Sequence, residues 1–237
     1  MKIKAIFYDL DGTLRMNAPK GWQVFSEYAA QLGMQVTPED VVRAARWEHY
    51  YFAQSPELLE DEAAFSDRSA FYTHYSRRQL QVLGASPAQA ADLAPGVHAL
   101  MLEAYRPADV IPADLLETLK VLQDQGYLLG VLSNRKESYA DYLAELGLAE
   151  FFSLVIAAGE AGHYKPDPQV FTYMLEKAGV SAEESIYVGD NYYADVVGAR
   201  AAGLAPVLLD IHGLFDEPGC PVIQTHSQLL PLLELNS

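Results

Sequence analysis

The feature that most limits how this chain can fold is a series of short apolar runs, each stopping at polar residues, with helical patterns between them. Ile3 to Leu10 is rich in β-branched and aromatic residues and ends at an acidic, glycine-containing turn, as a buried strand does. Tyr127 to Leu132 stops at Ser133 and Asn134, Leu154 to Ala158 at Gly159 and Glu160, and Ile186 to Val188 at Gly189 and Asp190. Pro206 to Leu209 gives a fifth run and Val222 to Ile223 a weaker sixth. Between them, Tyr139, Tyr142, Leu143 and Leu146 keep the spacing of one helix face before Gly147, and Leu115, Leu119 and Leu122 close at Gly126. Phe171, Met174, Leu175 and Ala178 lie between the start signal Asp167-Pro168 and the stop signal Gly179. Strands alternating with helices of this length predict an α/β fold, a mostly parallel sheet covered on both faces. Ligands then bind beyond the carboxyl ends of the strands.

The stretch from about Arg15 to about Arg106 has helical spacing and almost no strand signal, and reads as an all-helical insert. Thr37, Pro38 and Asp40 have the pattern of a reciprocal helix cap, and Ser86 with Pro87 marks another start. Pro95, Pro107 and Pro112 punctuate its far end and predict the return hinge there. The expected organisation is a core of residues 1–14 plus 107–237 and an inserted helical domain of residues 15–106. A chain of 237 residues, half of them apolar, can bury a core in each.

Charge narrows the partners. With 16 Lys and Arg against 32 Asp and Glu, the formal charge of −16 repels both a nucleic-acid backbone and an anionic membrane surface. A small phosphorylated substrate remains admissible, because a local cation and a metal can reverse the sign inside one cleft. The single cysteine, Cys220, allows neither an internal disulfide nor a cysteine-rich zinc site, and fits the cytoplasm. Asp9 and Asp11 interrupt the start of the chain before a signal-peptide apolar region is complete, and no run approaches the roughly 20 apolar residues of a membrane span. The oligomeric state is not legible.

The chemistry gathers at the strand ends. Asp9 and Asp11, in Asp9-Leu10-Asp11-Gly12-Thr13, can reach one cleft if the chain turns at Gly12. One ionised carboxylate can then attack phosphorus, while its neighbour gives a proton to the leaving oxygen and later takes one from water. Ser133 and the amide of Asn134 are placed to hold a phosphoryl oxygen at a helix N-terminus, and Lys165 supplies a fixed positive charge. Asp190 and Asp195 add carboxylates suited to a hard divalent ion, with magnesium the natural occupant. Taken singly, Ser133 serves equally as a helix cap, Asp195 as a helix-start residue and Lys165 as a surface charge. Their joint occurrence in order at strand ends favours a site.

The ordered strings DLDGT, LSN, KPDP and GDNYYAD resemble the four motifs of the haloacid dehalogenase superfamily, and the match runs from Lys2 to about Asp210 outside the insert. The resemblance implies a Rossmann-like core with a helical cap over the cleft, and a magnesium-dependent phosphatase acting on a small phosphorylated metabolite through an aspartyl phosphate. It makes Asp9 the nucleophile and Asp11 the general acid and base. Ser133 and Lys165 would hold the phosphate, with Thr13 and Asn134 completing the substrate pocket. The metal would be held by the Asp9 side chain, the Asp11 backbone carbonyl and Asp190, while Gly12 shapes the pocket and Asp195 supports the metal's water shell or the lysine.

Dehalogenases of the superfamily lack the second aspartate of the first motif, so Asp11 argues against that reaction. Phosphonate hydrolysis would need a cap lysine, and the insert offers only Lys20. A phosphosugar mutase shares every core motif and stands as the alternative, with a non-catalytic binding protein of the same fold behind it. Arg15, Met16 and Asn17 depart from the V-D-S or F-D-S continuation common in related phosphatases, so the resemblance carries no particular substrate with it. In the insert, Arg43, Arg46, Trp47 and Tyr50 share a helix face, which reads as core before substrate surface, and Arg77 and Arg78 are ambiguous. His49, His74, His98 and His163 have no partner at metal-ligand spacing.

Overall fold

The computed structural model describes residues 2–234, so Met1 and residues 235–237, at the two ends of the expected core, lie outside the described residues. The chain divides into two compact units, Met1–Met16 with Val110–Ser237, and Asn17–Asp109.

The first unit is built on a six-stranded sheet. Strands β1 (Ala5–Tyr8), β4 (Leu128–Ser133), β5 (Leu154–Ala157), β6 (Ser185–Gly189), β7 (Ala205–Leu209) and β8 (Val222–Ile223) are ordered β5-β4-β1-β6-β7-β8, and every pairing is parallel. β2 (Met16–Ala18) and β3 (Ala108–Val110), on the two connecting segments, form a separate two-stranded ribbon that the apolar patterning did not reveal. Both are short and lack a buried face, so no alternation marks them.

β1 sits at the centre of the sheet, and all four of its side chains are buried. Its alternation divides the core. Ile6 and Tyr8 pack with Leu129, Val131, Leu119 and Leu143 on one face, whereas Ala5 and Phe7 pack with Leu132, Phe171, Met174 and Tyr187 on the other. The period of two along a strand produces this division, and helices on both sides complete it. The flanking helices are α6 (Leu115–Asp124), α7 (Ala140–Glu145), α8 (Ala158–Ala161), α9 (Pro168–Ala178), α10 (Val197–Ala201) and α11 (Leu229–Glu234). α9 has the predicted ends: Asp167 caps it by accepting from the Gln169 amide, Pro168 begins it, and Gly179 closes it in the left-handed region at φ 67°.

The second unit contains α1 (Gly21–Gln31), α2 (Pro38–Phe52), α3 (Pro56–Ala64), α4 (Arg68–Val82) and α5 (Pro87–Ala104). Thr37 and Asp40 form the reciprocal cap expected before α2, and Ser86 caps α5. Phe25, Ala44, Leu80, Ala90, Ala94 and Val97 make one core, and Tyr51, Leu58 and Tyr75, with Trp47 stacked 5.6 Å from Tyr75, make a second. Trp47 is half-buried and packs against this second core. Arg78 forks Asp61, with Nε donating to Oδ2 at 2.7 Å and Nη2 to Oδ1 at 2.9 Å, while Arg77 is exposed.

Pro95, read with Pro107 and Pro112 as punctuating the far end of the insert, lies inside α5. An internal proline forfeits one helix hydrogen bond and crowds the preceding turn, at a cost of about 3 kcal/mol. Burial of Ala90, Ala94 and Val97 along the same helix offsets that cost. At the unit's two ends, the Tyr105 hydroxyl donates to the Pro19 carbonyl at 3.0 Å, which brings the entering and leaving chain side by side.

Candidate active site

The carboxyl ends of β1, β4 and β6, together with the loop before α9, bring most of the sequence-predicted residues to one place. Asp9 follows β1 directly, its amide donating to the Val188 carbonyl of β6 at 2.9 Å, so the first strand's pairing continues to the acid itself. Lys165 keeps only 2% of its exposure, which rules out the surface-charge reading. Its Nζ donates to Asp9 Oδ1 at 2.6 Å, to Asp195 Oδ1 at 2.7 Å and to the Tyr187 hydroxyl at 3.0 Å. Tyr187 in turn donates to the Leu132 carbonyl at 2.9 Å, tying the lysine to the strand that ends at Ser133.

Burial opposes the lysine's charge, but the Asp195 and Asp9 carboxylates outweigh it and hold the ammonium well above its ordinary pKa. Asp9 is pushed up to about 7, first by burial and then by the carboxylates of Asp195 and Asp11, with Lys165 pulling the other way. Burial also raises Asp195. The site therefore has an excess of negative charge in a dry environment. One oxygen each from Asp9, Asp190 and Asp195 lies within 4.8 Å of the others. Three clustered carboxylates, two of them bonded to one ammonium, fit a hard divalent cation with oxygen ligands.

Two glycines make the crowding possible. A Cβ on Gly12 would lie 2.3 Å from the Asp190 carboxylate, and the residue has φ +105°, open to glycine but strained for other residues. A Cβ on Gly189 would lie 2.3 Å from the Asp195 carboxylate. Thr13 joins the first motif to the fourth: its hydroxyl donates to Asp190 Oδ1 at 3.2 Å and accepts from the Asp190 amide at 3.0 Å. His226, buried, approaches the Thr13 carbonyl at 3.2 Å from the far end of the chain. Asp195 stands within a π-helical turn, Tyr192–Val196, where its Oδ2 accepts from the Asn191 amide at 3.0 Å.

Two residues differ from the sequence reading. Ser133 ends β4 but does not stand at a helix N-terminus, because residues 134–139 run through bends before α7 starts at Ala140. Loop packing decides this: the Gly159 amide, in α8, donates to the Arg135 carbonyl at 3.2 Å and holds the chain out of helix. Asn134 uses its side chain on the Lys165 backbone, accepting from the amide at 2.7 Å and donating to the carbonyl at 2.9 Å. It fastens the lysine loop.

Asp11 is not one of the three clustered carboxylates and is held by arginines instead. Arg135 donates to it through Nε and Nη2, both at 2.9 Å, Arg15 donates through Nε at 2.9 Å, and the Ser133 hydroxyl reaches Oδ2 at 3.4 Å. Burial acts to raise Asp11, but the two guanidiniums outweigh it and hold the carboxyl below its ordinary range. Arg135 and Tyr187 are absent from the sequence reading. Arg135 was findable as a cation two residues beyond Ser133 in a strand-end loop, whereas nothing in the sequence separates Tyr187 from any other core tyrosine of a strand.

The comparisons with known proteins agree with this geometry. A family model described as haloacid dehalogenase-like hydrolase matches residues 3–203, and the chain belongs to that family. Ribulose-1,5-bisphosphate 5-phosphatase of Halopiger xanaduensis is 30% identical over 210 residues, covering 87% of this chain and 84% of the relative. Phosphoserine phosphatase of Thermus thermophilus is 30% identical over 226 residues, covering 88% and 89%. Among solved structures, a 2-haloacid dehalogenase from Pseudomonas syringae pv. tomato is similar at 27% identity and a TM-score of 0.57, covering 99% of this chain and all of that one. No helix among the described residues is long and apolar enough to cross a membrane.

Proposed function

We propose that this chain is a cytoplasmic, magnesium-dependent phosphatase that hydrolyses a small phosphorylated metabolite through an aspartyl phosphate on Asp9. The observation that carries the proposal is the cluster of Asp9, Asp190 and Asp195 with the buried Lys165 at the carboxyl edge of the sheet. Relatives named as phosphatases support the reaction class. Asp11 supports it against dehalogenation, which the solved neighbour's name would otherwise suggest.

Asp9, Asp190 and the backbone carbonyl of Asp11 would hold the magnesium, with Asp195 beside them. When bound, the cation supplies positive charge that lets an anionic carboxylate and an anionic phosphoryl group approach. A carboxylate oxygen of Asp9 attacks phosphorus as the bond from phosphorus to the ester oxygen breaks; Asp11, which Arg135 and Arg15 hold ionised, first turns from them and takes a proton from solvent, and then delivers it to that oxygen. Water then attacks the phosphorus of the aspartyl phosphate. Asp11 takes its proton, and the bond to Asp9 breaks to regenerate the carboxylate. Lys165 holds Asp9 in place and, with Ser133 and the Asn134 amide, balances charge on the phosphoryl oxygens. Thr13 and Asn134 position the two loops, and the helical insert of residues 15–106 serves to select the substrate.

The test is Asp9→Asn. It retains the wild-type circular dichroism and magnesium-dependent binding of a phosphate ligand, and loses hydrolysis of p-nitrophenyl phosphate. Full residual turnover would remove Asp9 from its role.

A further inference from the structure

One buried polar side chain of the first unit stands outside every motif and yet ends on one. His226 opens a short turn beyond the last strand, keeps only 1% of its exposure, and brings Nε2 to 3.2 Å from the Thr13 carbonyl. A carbonyl only accepts, so Nε2 carries the proton and donates. Nδ1 is then the bare nitrogen, and it is buried with no hydrogen-bond partner among the described residues. Burial pulls the imidazole below its ordinary pKa, against the Asp114 carboxylate and the Thr13 carbonyl, which favours this neutral form.

Packing alone does not account for a histidine here. Buried polar atoms are normally satisfied, and a leucine in the same space would leave no orphan nitrogen. What an apolar side chain cannot do is donate to Thr13. Sequences break a local rule of this kind chiefly at functional sites.

The donor is held from its own side. β8 leads into the turn from the edge of the sheet, and Gln228 Oε1 accepts from the Gln224 amide at 2.6 Å. The Ser227 amide donates to Asp114 Oδ2 at 2.8 Å, which ties the turn to the start of α6, and the imidazole lies 6.1 Å from the ring of Tyr8 in the central strand. On the acceptor side, Thr13 is fully buried and its hydroxyl makes both contacts to Asp190, one to the carboxylate and one from the amide. A hydrogen bond on the Thr13 carbonyl thus sets where the Thr13 hydroxyl stands, and the hydroxyl sets where the Asp190 carboxylate points.

We infer that His226 is a positioning residue of the cation site: by donating from Nε2 to the Thr13 carbonyl it fixes the turn whose hydroxyl aims the Asp190 carboxylate. The inference deepens the magnesium-dependent phosphatase reading and rests on it. The histidine touches no reacting atom. It joins residues 213 apart in sequence, so the support of the first motif comes from a segment that carries none.

The experiment compares the full chain as wild type, as His226→Leu and as His226→Gln, whose amide nitrogen falls about where Nε2 stands. Each protein is melted without divalent cation and over a magnesium series, and its hydrolysis of p-nitrophenyl phosphate is followed over the same series. His226→Leu is expected to melt close to wild type without the cation. It needs about 10-fold more magnesium for half of its melting shift and half of its turnover, the effect expected when a metal ligand loses a supporting hydrogen bond. KM for the ester at saturating magnesium stays near that of wild type, and His226→Gln recovers most of the magnesium response.

A leucine variant that loses stability but keeps the wild-type half-saturating magnesium concentration has lost packing alone, and overturns the inference. So does a glutamine variant that behaves like the leucine one. If His226→Leu does not fold, nitrogen NMR of the wild type decides. A proton on Nε2 whose resonance moves with magnesium supports the inference, whereas a proton on Nδ1, or an Nε2 resonance that magnesium leaves in place, overturns it. Wild type that neither melts higher with magnesium nor hydrolyses the ester is a separate result, which overturns the magnesium-dependent phosphatase reading itself and this inference with it.

Discussion

At the scale of single residues, the site works by packing charges closer than water would allow and balancing them with Lys165. That ammonium is bonded to both Asp9 and Asp195, at 2.6 and 2.7 Å. Removing one member of a buried, hydrogen-bonded charge set costs about 3–5 kcal/mol, because its partners stay buried without compensation. Lys165→Met is therefore expected to lower the stability of the folded chain by that amount in denaturant titrations and to abolish turnover; a variant with wild-type stability would show that the acids relax without the lysine. Gly12→Ala puts a methyl group 2.3 Å from the Asp190 carboxylate. A shift of about 1 Å in a reacting group can cost on the order of 100-fold, and a loss of that size in kcat/KM is expected, with circular dichroism little changed. Asp9, Asp11 and Asp190 were legible as candidates because each stands in a short string just past a strand, and Lys165 because its string opens a helix. The Arg135 clamp on Asp11 was not, since it joins residues 124 apart and belongs to no pattern within either segment.

At the scale of elements, hydrophobic period and terminal residues carried most of the information. The inner strands of the main sheet were readable as apolar runs because a central parallel strand, buried on both faces, has no polar alternation to hide it; β5 and β8, at the edges, are apolar throughout as well, β8 being only 2 residues long. α9 was readable from Asp167-Pro168 and Gly179, and α2 from Thr37 and Asp40, since these side chains satisfy backbone groups that a helix end leaves open. Pro95 misled because local propensity is weaker than burial.

The helical insert also offers a pH-dependent test. Burial alone would raise the Asp61 carboxyl, but the Arg78 fork and the Tyr51 hydroxyl outweigh it and hold the group below its ordinary value. A depressed folded pKa stabilises the fold above the unfolded value, about 3.9, and that stability is lost as pH falls through the folded pKa. Asp61→Asn is expected to melt at a lower temperature than wild type near pH 7. The gap between the two should close as the pH is brought down from about 4 towards 2. A gap that stays constant over that range would mean that the ionised form of Asp61 contributes nothing.

At the scale of the whole molecule, the proposed cation site makes folding and cation binding linked quantities. A ligand that binds only the folded state at about 100 times its dissociation constant adds about 2.7 kcal/mol of stability. Magnesium is expected to raise the melting temperature of wild type, and a chelator to reverse the gain together with hydrolysis. Asp190→Asn should melt at the same temperature with and without the ion. A rise equal to that of wild type would place the cation elsewhere.

The Tyr105 hydroxyl's donation to the Pro19 carbonyl makes the beginning and end of the helical insert neighbours. A segment whose two ends meet can be exchanged for another of different length without changing the distance its host must span. Recombination can therefore replace the insert of such a chain while the strands and loops around it keep their sequence, so a lineage can change one unit without rebuilding the other.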